Sequence, residues 1–302
     1  MNWAGVRLDP SRPHLDSLDS RGRLDWADFQ GDFILSQSAE VTEVPAREVI
    51  ERLKAQHKKT QIPFRTMFGN KQGGNSIDVS AFSLPTEVVS GDQLKGLLSC
   101  SVEKCSFKLH TASETLPLTQ SAKRTDFLRE IVAQRLKAYL IEKQLKGYES
   151  RADNIPYVKK YLQLSGFLKT RYPKTYQYFQ KAFWENRKGA TGPIQSYVRS
   201  EVINMAGEKS QPIYRLTENI EFNENGYLNI EIPIYTNHFF DSSFRVFEVF
   251  DWPADRQKGV YVVTDIIEVD ELKKSELIKK LFKNRMEEAV EQFRKSEMKE
   301  LR

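Results

Sequence analysis

Hydrophobic and polar positions alternate with period two over long stretches of this chain and recur at helical spacing over others. In Phe33–Val41 the residues Phe33, Leu35, Ala39 and Val41 fall on one face, interrupted by Gln37, which predicts a strand. Val44 and Pro45 open a helix, because proline's missing N–H costs little at that position. Val49, Ile50 and Leu53 give it a narrow apolar face, and it ends in the polar run 56–61. Residues 69–75, with Gly73 and Gly74, read as a turn. Ile77, Val79 and Ala81 predict a strand over 77–84, residues 91–98 a short helix or turn, and 102–109 a third strand.

The character changes between 124 and 205. Phe127, Leu128, Ile131, Val132, Leu136, Tyr139 and Leu140 recur at helical spacing. A second helix runs through Tyr157, Tyr161, Leu162 and Leu168, a third carries Tyr172, Tyr176, Phe179 and Phe183, and a fourth is expected over 196–205. This is a helical insertion at about 124–205, beside or within a sheet.

From 213 to 268 the period returns to two. Tyr214, Leu216, Glu218, Ile220 and Phe222 share one face, and Leu228, Ile230, Ile232 and Ile234 share the next. Asn225-Gly226 between them is a strong hairpin signal. Two further strands, 240–250 and 260–267, are joined by an expected loop over 251–258. Beyond residue 270 the residues Ile278, Phe282, Met286, Ala289 and Phe293 form one apolar stripe, opposed by Lys and Arg. That pattern fits a long helix lying across a sheet.

The 302 residues suffice for one large domain or two small ones. The net charge of +5 comes from 46 basic and 41 acidic residues spread along the chain, which reads as a solvated surface with no nucleic-acid stripe. No apolar run reaches the roughly 18–20 residues that span a bilayer. Residues 1–30 are polar and punctuated by Pro10, Pro13 and Gly22, and are expected to form a flexible arm ahead of a single domain over 31–302. They hold no signal-peptide h-region; a mature exported chain and a cytoplasmic one both fit. Cys100 and Cys105 admit three readings: a local disulfide, two free thiols, or, with His110, part of a metal set.

No P-loop, GxGxxG, HExxH or serine elbow is present in the sequence. Glu218 stands out because a regular strand points it inward with Leu216 and Ile220. A buried carboxylate needs a partner or a raised pKa; a bulge or an edge salt bridge would instead turn it outward. His238, near Asp241, is a candidate base or an ordinary structural hydrogen bonder. The stripe Tyr172, Tyr176 and Phe179 reads either as core or as the wall of a pocket.

The order strand, helix, strands, antiparallel meander and long C-terminal amphipathic helix resembles the START-like helix-grip fold. The segment 33–50 looks like its opening strand and first helix. Separately, 100–109 resembles a C-x4-C-x-x-K-L pattern in a bacterial family of uncharacterised, mostly exported proteins, as do 196–201 followed by Gln211-Pro-Ile, and Asn237-His-Phe-Phe-Asp-Ser-Ser. Glu103-Lys104 departs from that family's usual Gly-Asp pair, and His110 from its Pro. The second resemblance brings no activity; it implies a periplasmic or exported location and a Cys100–Cys105 disulfide.

The expected fold is therefore α+β: an antiparallel sheet gripping a long C-terminal helix, START-like, with a helical insertion. The expected function is non-enzymatic binding of an apolar or amphipathic, lipid-like small molecule between sheet and C-terminal helix. Glu218, Leu216, Ile230, Ile232, Phe244, Phe282 and His238 are its expected lining, without a cofactor, metal or catalytic residue. The alternatives are an interaction subunit of an envelope assembly and an enzyme using Glu201, Glu218 or His238.

Overall fold

A computed structural model describes residues 18–30, 33–62, 166–180, 195–203, 213–236, 240–269, 288, 290–299 and 301. The strands expected over 77–84 and 102–109, Cys100, Cys105, the helical stretch 124–165, His238 and Phe282 lie outside the described residues.

Among the described residues eight strands form one antiparallel sheet in the order β1-β2-β8-β7-β6-β5-β4-β3. They are β1 Arg23–Gln30, β2 Phe33–Val41, β3 Gln61–Ile62, β4 Gln195–Ile203, β5 Ile213–Asn223, β6 Tyr227–Thr236, β7 Phe240–Trp252 and β8 Asp255–Val269. With its helices the protein is α+β. β2 lies beside the last strand, and β8 to β4 follow one another outward from it through antiparallel neighbours. Asn225 and Gly226 turn β5 into β6 with positive φ values of 57° and 130°, as the Asn-Gly pair predicts. β7 and β8 extend further than expected, so the 251–258 loop shrinks to a turn between Trp252 and Asp255.

The helix α1 spans Ala46–Thr60 and begins after Pro45. Its entry is fixed on β8: Gly259 N–H donates to Val44 O at 2.7 Å, and the Thr42 hydroxyl donates to Gly259 O. A Cβ at Gly259 would meet Ala46 backbone atoms at 3.0 Å, so the close approach needs glycine. Val49 and Leu53 are buried against Phe247, Val249, Tyr261 and Val263. A C-terminal helix, α4, is described over 290–299, and Met298 and Leu301 join the same cluster. Only this short C-terminal part of the long helix expected over 270–299 is described.

Strand register divides the sheet into two faces. α1 and α4 cover the face carrying Tyr227, Phe247, Val249 and Tyr261. Leu216, Glu218 and Ile220 pair with Ser200, Val198 and Ser196 on β4, and Glu218 and Ile220 with Ile232 and Ile230 on β6, all on the opposite face. Here α2 (Gly166–Arg171) and α3 (Pro173–Phe179) pack, with the Phe179 ring 5.7 Å from that of Phe222. The boundary expected between the helix through Leu168 and the one carrying Tyr172 falls at Tyr172, because Pro173 disfavours helical geometry in the residue before it. Glu224 at the hairpin tip accepts the N–H groups of Lys174 and Thr175, both at 2.8 Å, and so ties α3 to the β5–β6 turn.

Two expectations are corrected. Residues 196–205 do not form a helix: β4 covers Gln195–Ile203, paired along its length with β5. The flexible arm does not extend to residue 30, because Arg23–Gln30 is an edge strand on β2. Arg294 of α4 holds it, donating to both oxygens of Asp25 at 2.8 and 2.9 Å and to Glu40.

Candidate functional site: a buried polar network under the helices

The helix-covered face of β4–β8 is built from residues that would ordinarily face water. Arg215, Thr217, Asn219 and Glu221 alternate along β5, Tyr197, Arg199 and Glu201 along β4, and Asn229 and Glu231 along β6. Register sets Glu201 opposite Arg215, Asn219 opposite Glu231, Glu231 opposite Arg245, and Arg245 opposite Asp265. Nearly all are buried: Arg215 is 2% exposed, Glu231 1%, and Asn219, Glu221 and Asn229 0%.

Two sub-clusters result. In the ionic one, Glu231 Oε1 accepts from Arg199 Nη1 at 2.8 Å, while its Oε2 accepts from Arg215. Arg215 Nε donates to Glu201 at 2.7 Å, and Arg245 Nε donates to Asp265 at 2.6 Å. Burial alone would raise the pKa of Glu201, but Arg215 and then Arg199 outweigh it and hold the group at about 2. Burial likewise opposes the charge on Arg245, and Asp265 and Glu231 more than offset it. Glu297 of α4 stands over this cluster, accepting from Tyr261 Oη at 3.4 Å. Burial raises it to about 7, with Arg245 pulling the other way.

The second sub-cluster lies beneath the C-terminal half of α1. His57 Nδ1 is 2.9 Å from Tyr197 Oη, and Tyr197 Oη donates to Glu221 Oε1 at 2.9 Å. Asn229 Nδ2 donates to the same hydroxyl at 3.1 Å. The phenol proton goes to Glu221, so His57 Nδ1 meets a lone pair at Tyr197 Oη and, 3.2 Å away, an N–H of Asn229; either tautomer of the ring finds a partner there. Burial, then the charge of Arg199, lowers the His57 pKa to about 2 and keeps the ring neutral. Among the described residues His57 Nε2, Asn219 Oδ1 and Asn229 Oδ1 have no hydrogen-bond partner, while the Tyr227 hydroxyl lies against Glu221 and Asn229. Buried polar atoms are nearly always paired, so three unpaired ones in one patch call for an explanation.

The expected lining falls elsewhere. Leu216, Ile230, Ile232 and Phe244 are buried on the opposite face from α1 and α4, so they do not lie between the sheet and the described part of the C-terminal helix. Glu218 does point inward, fully buried and accepting from Ser196 Oγ, but among those apolar residues. The register shift between Leu216 and Thr217 does not turn it outward. Of the three acids and bases weighed for an enzyme, Glu201 joins the ionic cluster. Tyr172 is buried with its hydroxyl donating to Glu248 at 2.8 Å, on the α2–α3 side.

Sequence reading missed Arg199, Arg215, Asn219, Glu221, Asn229, Glu231 and His57. A usable signal existed for His57, which follows Val49 and Leu53 at four-residue steps along the buried stripe of α1. Among the described residues no helix is long and apolar enough to cross a membrane, and no group of three or more His, Cys, Asp or Glu is placed to hold a metal ion. No protein-family model, curated protein or solved structure matches this chain.

Proposed function

We propose that this protein binds an amphipathic small molecule between the helix-covered sheet face and α1 and α4, in a START-like helix-grip arrangement. The observation that carries this reading is the set of unpaired, buried polar atoms at His57, Asn219 and Asn229. Beside them stands an apolar wall of Val49, Leu53, Phe247 and Val263. A head group satisfies the polar atoms while a tail lies on the wall. The sheet order, with β2 beside β8 and α1 crossing between β2 and β3, supports the grip. The C-x4-C segment supports an exported location and a Cys100–Cys105 disulfide; two cysteines alkylated without reductant in native material would refute the disulfide.

Native mass spectrometry of freshly purified protein tests the binding. A co-purifying mass of lipid size that is lost in Asn229→Leu is the expected result. A clean apo mass together with a large oligomer would instead favour an assembly subunit.

A further inference from the structure

α4 sets an acid, Glu297, over the ionic cluster of the sheet. The guanidinium groups of Arg199, Arg215 and Arg245 already hold Glu231, Glu201 and Asp265. Glu297 is a fourth carboxylate above these three cations, and the Tyr261 hydroxyl donates to it at 3.4 Å. We propose that Glu297 is an acid-closed latch: carrying a proton it lets α4 seat on the sheet, and its ionisation loosens the helix.

The charged and titratable groups around Glu297 come from four strands. β4 presents Arg199 and Glu201, β6 Glu231, β7 Arg245 and β8 Tyr261. Arg245 attracts the carboxylate most, but it lies 2.6 Å from Asp265 and 4.4 Å from the centroid of the Phe293 ring. Glu201 and Glu231 repel it. On α4 itself, Arg294 is turned to Asp25 and Glu40. On α1, Arg52 bonds Glu48 and Leu301 O, and the His57 ring is neutral. An ionised Glu297 therefore sits in a partly buried seam whose cations are already matched, and burial raises its pKa to about 7. Away from the sheet the carboxyl returns to its ordinary 4.5, so the loosened helix ionises first. α4 thus holds tightest below about 4.5, weakens as pH rises to 7, and weakens no further above it. Met298 and Leu301 hold the helix by apolar contact, which does not titrate.

Amide hydrogen exchange of the full chain tests the latch, with rates at each pH divided by the chemical exchange rate of an open amide. From about pH 5 to 7 the amides of 290–299 are expected to lose protection by about tenfold per pH unit, and to level off at about pH 8. Amides of β5 and β6 should not lose protection over that range. Glu297→Gln keeps the side chain neutral at every pH, so 290–299 should retain the parent's acid protection throughout. Protection of 290–299 that does not vary with pH in the parent, or a slope that persists in Glu297→Gln, overturns the latch. Joint loss of protection in α4 and β5 overturns it too, because the whole fold is then what opens.

Discussion

Glu231→Gln isolates the ionic cluster with the least change of shape. Glu231 is 1% exposed and touches three guanidinium groups: Arg199 at 2.8 Å, Arg215 at closer range, and Arg245 at 3.8 Å. Glu201, Glu231 and Asp265 together balance those three arginines. The amide removes one negative charge and leaves a positive one uncompensated in the interior. A unit pair near 4 Å contributes about 4 kcal/mol at an effective dielectric of 20. Breaking buried ion pairs costs about 3–5 kcal/mol by a separate route. The variant should therefore lose about 3–5 kcal/mol in urea unfolding, with an unchanged m-value. Arg47→Ala is the control. Its partner is Glu51, and the two side chains are 90% and 64% exposed, so the change should stay within about 0.5 kcal/mol. A Glu231→Gln loss below about 1 kcal/mol would show that water reaches the cluster, and the argument from burial would fail.

Gly226→Ala should cost more than about 1 kcal/mol, because φ is +130° and the new Cβ would lie 2.8 Å from Val249 O; an unchanged urea midpoint would contradict that. Arg294→Met should cost about 3 kcal/mol by taking the cation from Asp25 and weakening the hold on Glu40, which keeps Arg23 at 3.9 Å, and should speed amide exchange in β1; protection equal to the parent's would refute the strap. His57 takes up a proton near 6.5 when unfolded but only near 2 when folded, so stability falls as pH drops below about 6.5, and His57→Gln should flatten that limb. Glu297 has the opposite sign: its pKa rises from 4.5 to about 7 on folding, so its contribution is complete below about 4.5 and lost as pH rises through 7, and Glu297→Gln should remove that slope; variants titrating like the parent would contradict both assignments.

Local patterns carried much of the fold and little of the site. β2, α1 and the Asn225-Gly226 hairpin follow from alternation, proline placement and turn chemistry within a few residues. β4 did not, because Val198 and Val202 sit four apart and mimic a helical stripe. Long-range pairing with β5, not local propensity, makes it a strand. β1 mixes apolar and charged positions on both faces, Leu24 and Trp26 with Asp28 on one and Ala27 and Phe29 with Arg23 and Asp25 on the other; one of its acids is held by Arg294, far away in sequence. The site was hidden for a different reason. Alternation along β5 reveals two faces but not which is covered, and a face of Arg215, Thr217, Asn219 and Glu221 is assigned to water by default. This sheet is covered on both sides, and helices lie over its charged side.

That coverage also bears on purpose. A buried ion network gives little net stability over well-packed apolar residues of similar volume, since desolvation offsets most of the attraction. Stability alone therefore does not account for Arg199, Arg215 and Arg245 with their carboxylates, still less for unpaired atoms at Asn219 and Asn229. A preorganised polar floor costs folding energy whether or not a ligand is present, and returns it only to a ligand whose donors match. Within this patch Arg199, Arg215 and Arg245 are each held by a carboxylate of the sheet, and Glu221 is held by the Tyr197 hydroxyl and Lys54. On the proposed reading, such a floor would select its ligand by the acceptors left without a partner among the described residues, Asn219 Oδ1 and Asn229 Oδ1.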